Sequence, residues 1–341
     1  KRVLIVTCAA ALFLVLAFII QKVIQLLLVT FAGIVLAVFL DGLSGFMVKK
    51  TAIPRRAALG IVMVFILIIL FAGGWVIGPR IADEFSKLSQ KIPEALDNLK
   101  STLQGYEWGP KLLDNIPGIG DITTFGPEVV WGITGVFSTA LGTIVSLLII
   151  LFVGIYGAIN PSLYVDNIIK LLPSGKRERG RSIVNSLGRA LRSWLIGRFI
   201  SMLIVGVLTA AGLSIIGLQL ALVLGLIAAV LSFVPFIGPP LSVIPALLVA
   251  LAEDPVLMIY VGINYLVVQV LESYIITPLV FKQELSLPPA FLITLQIIMG
   301  ALFGAMGVVM ATPLTVVAIV LVQTIYIEDI LKEKVKVMGQ G

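Results

Sequence analysis

The chain has no histidine and only one cysteine, Cys8. Without histidine there is no serine–histidine triad, no histidine-ligated metal and no imidazole proton relay. With one cysteine there is no internal disulfide and no cysteine metal cluster. Cys8 reads as a small apolar helix residue. Charge is scarce as well. Asp, Glu, Lys and Arg make up 12% of the 341 residues, where soluble domains carry about a quarter. Apolar side chains fill the difference: 59% of residues are hydrophobic, and the mean hydropathy is +1.14. These absences and this excess describe an all-α polytopic membrane protein, with no motif that calls for a cofactor or marks an enzyme.

Apolar runs of span length occur at 3–20, 23–40, 57–78, 136–158 and 194–217. Each suits about 30 Å of hydrocarbon, or about 20 helical residues. No small-residue cleavage site follows the first run, so it is expected to be a span and not a signal peptide. Gln21 and Lys22 divide the first two runs. The loops set the expected orientation. Lys49, Lys50, Arg55 and Arg56 face one acid, Asp41, in 41–56, and seven bases face Asp166 and Glu178 in 160–193. Residues 79–135 hold more acids than bases. By the positive-inside rule the first two stretches are cytoplasmic and the third is outside. Lys1 and Arg2 then lie inside.

The outer stretch carries Phe85, Leu88, Ile92, Leu96, Leu99 and Leu103 at steps of three and four, an amphipathic helix expected to bend near Pro93. It either lies on the membrane or its own bundle, or packs against a neighbouring subunit. After the turn Pro173-Ser174-Gly175, a basic helix places Ile183, Val184, Leu187, Leu191 and Trp194 on one face. Such helices rest on anionic headgroups, and topology alone accounts for the arginines, so no nucleic-acid partner is expected. The expected organisation is therefore N-terminal spans in 1–78, an extracytoplasmic helical segment in 79–135, a span in 136–159, cytoplasmic basic helices in 160–193, a transport core in 194–326 and a cytoplasmic tail in 327–341.

In the C-terminal half the pattern breaks. Residues 219–234 and 237–252 are two apolar arms, each about 24 Å long as helix, too short to cross. Between them "FVPFIGPPLSVIP" sets Pro235, Gly238, Pro239, Pro240 and Pro245 into apolar sequence. This reads as a re-entrant hairpin, with a kinked but complete pair of spans as the alternative; broken backbone is tolerated only in protein or beside water. A helix over 255–277 follows, ending near Pro278, with Asn264, Gln269 and Glu272 within it. Glu272 lies about 60° from Gln269 and about 80° from Asn264 around that helix. A carboxylate in a membrane helix is a candidate proton or cation site, and Asn264 and Gln269 are candidate uncharged ligands. Alternatively Glu272 reaches interfacial water or pairs with Lys282. A second broken pair spans 287–325, interrupted by Gly300, Gly304 and Gly307 as a hairpin tip and by Pro313. Broken helices beside a polar helix are the arrangement of secondary transporters.

The blocks "LSFVPFIGPPLSVIPALLVAL", "NYLVVQVLESYIITPLV" and "GALFGAMGVVMATPL" strongly resemble the AI-2E family of bacterial permeases, in the family's order and spacing. The similarity covers roughly residues 25–330. It implies about eight transmembrane helices, a homo-oligomer (a pentamer as the specific form) and transport of a small polar solute. Some members export the signalling molecule autoinducer-2, and others exchange sodium or lithium for protons. The family's motif positions fall on Pro235, Gly238, Pro239, Pro240, Asn264, Gln269, Glu272, Pro278, Gly304, Gly307 and Pro313. One departure is "LDGLSG", where Gly42 stands at a frequent proline.

Other classes fail on their chemistry. "GLSG" at 42–45 matches a rhomboid protease motif but has no histidine partner. "GIGD" at 118–121 matches an aspartyl protease motif but has no second membrane aspartate. "SGKRERGRS" lacks the glycine and hydroxyl residue of a phosphate loop. A non-transporting membrane scaffold built on the outer helix is the remaining rival.

Overall fold

The computed structural model describes residues 2–51, 53–104, 140–280 and 289–333. Regular structure among them is helical throughout. The helices are α1 (Arg2–Lys50), α2 (Arg55–Gln104), α3 (Ala140–Ile159), α4 (Pro161–Lys170), α5 (Arg177–Ile216), α6 (Ala221–Leu231), α7 (Gly238–Glu253), α8 (Leu257–Leu271), α9 (Thr277–Val280) and α10 (Pro289–Leu321). A π-helical turn, Glu272–Ile276, joins α8 to α9, and another, Val322–Ile330, follows α10. Among the described residues, five helices are long and apolar enough to cross a membrane, or six if the bent pair α3–α4 counts as one span.

The first two expected spans are one helix. α1 runs unbroken for 49 residues. Gln21 and Lys22 interrupt the hydropathy, but both are good helix formers, and neither proline nor glycine occurs between Arg2 and Ala32. At about 73 Å of continuous helix, α1 has no turn at Gln21 and Lys22 between the two expected spans. The third span and the outer amphipathic helix are likewise continuous, as α2.

The chain divides into two compact units. One comprises Lys1–Val62, Val145–Ser193 and Leu285–Gly341, the other Met63–Ile144 and Trp194–Glu284. In the first, Leu28 and Ala32 of α1 are buried with Met310 of α10. Pro161 opens α4 and turns it 88° from α3, because proline disfavours helical conformation in the residue before it. The basic helix is tied down by acids of the same unit. Arg179 reaches Glu328 and Asp329 at 2.8 Å, Arg181 reaches Asp166 at 2.6 Å, and Asp41 receives both Arg55 and Arg192. Gly42 lies beneath Arg192, where a Cβ would come within 2.7 Å of its Cγ.

α10 folds back on itself at Gly304, whose φ of 64° and ψ of −151° interrupt the helix. Gly307 sits so close to the Met299 carbonyl that a Cβ would lie 2.0 Å from its oxygen. Gln296 Nε2 donates to Thr312 Oγ1 at 3.3 Å. In a straight helix those two residues would be about 24 Å apart. Pro313 lies inside the second arm, which runs on through it.

In the second unit α6 and α7 form the other hairpin. Their outer ends meet where Gln219 N–H donates to Glu253 Oε2 at 3.4 Å, and at the tip a Cβ on Gly238 would strike the Leu231 carbonyl. The core gathers Leu213, Leu224, Val249 and Val261, with Leu88 of α2 against them. Leu88 therefore packs on its own bundle. α6 has 11 residues and α7 has 16, both short of a crossing.

Candidate functional site

The prolines of the first hairpin do not break a helix; they begin one. Pro239 and Pro240 occupy the first turn of α7, where a missing N–H costs nothing and the fixed φ suits the helix. Pro235 and Gly238 shape the tip, with Ile237 N–H donating to the Pro235 carbonyl at 2.8 Å. Pro245 lies within α7, which continues past it. The tip is the irregular stretch 232–237, where the Val234 and Ile237 carbonyls accept from Gly238 and Leu241 of α7 while others find partners elsewhere.

One of those carbonyls is held by a buried arginine. Arg198 of α5 donates from Nε to the Phe233 carbonyl at 3.2 Å and from Nη1 to Glu272 Oε1 at 3.2 Å. Ser201, one turn on, donates to the same carboxylate oxygen at 3.4 Å. The Arg198 and Glu272 side chains are each 7% exposed. The Phe233 ring meets Trp194 edge-on at 5.7 Å. Glu272 opens the π-helical turn, and Thr277 N–H bonds back to its carbonyl across five residues. Pro278, which has no N–H for the usual bond to Tyr274, accounts for that change of register. Such turns inside α-helices recur at functional sites.

Of the polar residues expected on this helix, only Glu272 enters the cluster. Gln269 is exposed and bonds to Ser273 at 3.4 Å. Asn264 lies two turns away, about 12 Å along the axis. Its Oδ1 fills the space over Gly212 of α5, where a Cβ would come within 1.8 Å. Its Nδ2 is buried without a hydrogen-bond partner among the described residues. Lys282, the alternative partner for Glu272, lies outside the described residues. The sequence reading missed Arg198, Ser201 and the Phe233 carbonyl. Arg198 carried its own signal: an ionisable side chain in an apolar run, the same criterion that singled out Glu272.

The same unit has a second concavity, a cleft of about 420 Å³ lined by Arg80, Glu84, Ser214, Gln219 and Leu220. Glu84 Oε2 accepts from Val223 N–H at 2.9 Å, capping α6 from another helix. Lys91 bonds both Glu253, at 2.8 Å, and Gln219, at 2.9 Å. The α6–α7 hairpin is thus gripped at its tip by Arg198 and at its open end by α2. Among the described residues no three His, Cys, Asp or Glu side chains gather as metal ligands.

A buried ion pair that grips broken backbone between apolar helices is a feature of membrane transport proteins, and the comparisons with known proteins agree. The sequence matches the profile of the AI-2E family transporter over residues 5–327. This chain belongs to the AI-2E transporter family. Its AI-2E relatives include "Putative transport protein YueF" of Bacillus subtilis (strain 168), 26% identical over 274 residues, covering 76% of this chain and 74% of that one. The similarly named YhhT of Escherichia coli (strain K12) is 25% identical over 315 residues, 89% of this chain and 84% of its own. A transport protein of the same naming from Thermotoga maritima is 25% identical over 312 residues, 89% and 90% of the two chains. With its apolar helices, this AI-2E chain is a multi-pass membrane protein of a transporter family.

Proposed function

We propose that the protein moves a small polar solute, such as an autoinducer-2-like molecule, across the bacterial cytoplasmic membrane by secondary or facilitated transport. Its termini would lie in the cytoplasm and it would work as a homo-oligomer, a pentamer by the family resemblance. The observation that carries this reading is the buried Arg198–Glu272 pair bonded to the hairpin tip. It joins the charged group and the broken backbone in one unit, so a solute or ion that engages Glu272 acts on the hairpin through Arg198. Glu272 is the proposed proton or cation site. Gln269 and Asn264, farther along the helix, are assigned to the solute path and not to the ion's own shell. The α6–α7 hairpin, around Pro235, Gly238, Pro239 and Pro240, is the proposed wall of that path, and the hairpin at Gly300, Gly304 and Gly307 is proposed as a functional element of its own unit, with Pro245, Pro278 and Pro313 shaping their helices.

The test is efflux of autoinducer-2 from proteoliposomes, with and without Glu272→Gln. Transport that falls at least tenfold, or loses its pH dependence, supports the reading; unchanged transport with unchanged pH dependence sinks the role of Glu272. A second reading, exchange of sodium or lithium for protons, is favoured by the Ser201 hydroxyl beside the Glu272 carboxylate, two hard oxygens suited to a small cation. Its mark would be dissipation of a pH gradient on adding either cation, and indifference to both would remove it.

A further inference from the structure

We propose that Arg198 is the anchor for an oxygen atom of the transported solute, and that the Phe233 carbonyl occupies that place until the hairpin tip moves. This rests on the transport reading above. A guanidinium carries five N–H donors in a fixed fork. Here Nη1 faces Glu272 and Nε faces Phe233, while Nη2 is buried with no acceptor among the described residues. A buried donor left without an acceptor is costly and rare in a folded protein. This one sits on the same fork as a donor whose acceptor is a loop carbonyl, a group with the geometry of a solute oxygen.

The tip that supplies that carbonyl is itself strained. Phe236 holds a φ of +66°, a left-handed conformation that bulky side chains avoid. At the other end of α6, Leu220 holds a φ of +62°. α6 is therefore bracketed by two non-glycine residues in unfavourable conformations, and a shift of the tip has strain to release. Such a shift withdraws the Phe233 carbonyl and leaves Nε and Nη2 side by side, a two-pronged donor for an incoming oxygen.

Charge balance selects the class of solute. Glu272 already neutralises Arg198, so an added anion would leave surplus negative charge in a dry shell. The site suits an uncharged carbonyl or hydroxyl oxygen, with the Ser201 hydroxyl as a further partner.

Proteoliposomes of the full chain are treated with phenylglyoxal, an uncharged dicarbonyl that condenses with guanidinium groups, and the Arg198 peptide is read by mass spectrometry. Arg198 is expected to be modified, at least tenfold more slowly when the solute of the efflux assay is present, and at an unchanged rate with acetate. Arg198→Lys, which keeps the charge but not the fork, is expected to raise the half-saturation concentration at least tenfold with a smaller change in maximal rate. Arg198 unmodified in liposomes that transport normally, a modification rate indifferent to the solute, or an unchanged half-saturation in Arg198→Lys would overturn the assignment alone. Protection by acetate equal to that by the solute would overturn the uncharged class. Wild-type liposomes that move no solute would remove the transport reading and this one together.

Discussion

The Arg198 guanidinium donates to the Glu272 carboxylate at 3.2 Å, and both side chains are shut away from solvent. Removing one member of such a pair leaves an uncompensated buried charge, which costs about 3–5 kcal/mol, whereas removing both is far milder. Arg198→Gln and Glu272→Gln are each expected to lower the unfolding midpoint in detergent, and the double variant to recover most of the loss. A double variant no more stable than the weaker single one would refute this account of the pair.

Gly304 has a backbone conformation open essentially to glycine alone. Gly304→Ala is expected to cost about 1–3 kcal/mol through strain. Gly262 is the contrast. It lies inside α8, and a methyl group added there would meet nothing within 4 Å. Gly262→Ala should therefore be neutral or stabilising by about 0.5–1 kcal/mol. Thermal unfolding of the two variants checks the sign of each.

Gly212 and Asn264 fit as a socket and its plug. Gly212→Ala would drive a methyl group into the Asn264 amide, at an expected cost of about 1–3 kcal/mol for overpacking. Shortening the plug should restore most of it, so Gly212→Ala with Asn264→Ala is expected to be more stable than Gly212→Ala alone. Strictly additive effects in a double-mutant cycle would show that the two residues are not coupled.

Lys91 and Glu253 join α2 to the end of α7, with side chains 24% and 15% exposed. Lys91→Glu and Glu253→Lys should each weaken the attachment, and the exchanged pair should regain part of it. The effect is expected near 1 kcal/mol, since the pair is only partly screened. It would register as faster hydrogen exchange in α6 and α7 in the single variants, slowed again in the exchange. Equal protection in all forms would mean that the contact does not hold the hairpin.

Much of this was legible in the sequence. Apolar run length gave the membrane class, and Pro/Gly clusters gave both hairpins, because glycine at positive φ and proline at a helix start have few other uses. Glu272 stood out for the desolvation cost of a carboxylate among apolar neighbours. The division of α1 was misread because hydropathy falls at Gln21 and Lys22 while helix propensity does not. The neighbours of the Gln269–Asn264–Glu272 face were not legible for a different reason. Angular position on one helix does not say which neighbour covers it, and α5, through Gly212 and Arg198, takes Asn264 and Glu272 in separate places. The Phe233 carbonyl left no trace in the pattern, since every residue has one.

The fold-back at Gly304 also governs sidedness. Hydropathy alone would count 289–330 as a single crossing, which carries everything after it to the opposite face. An antiparallel pair of arms returns the chain to the face it left. Whether residues 289–330 add one crossing or none therefore turns on the backbone of one glycine.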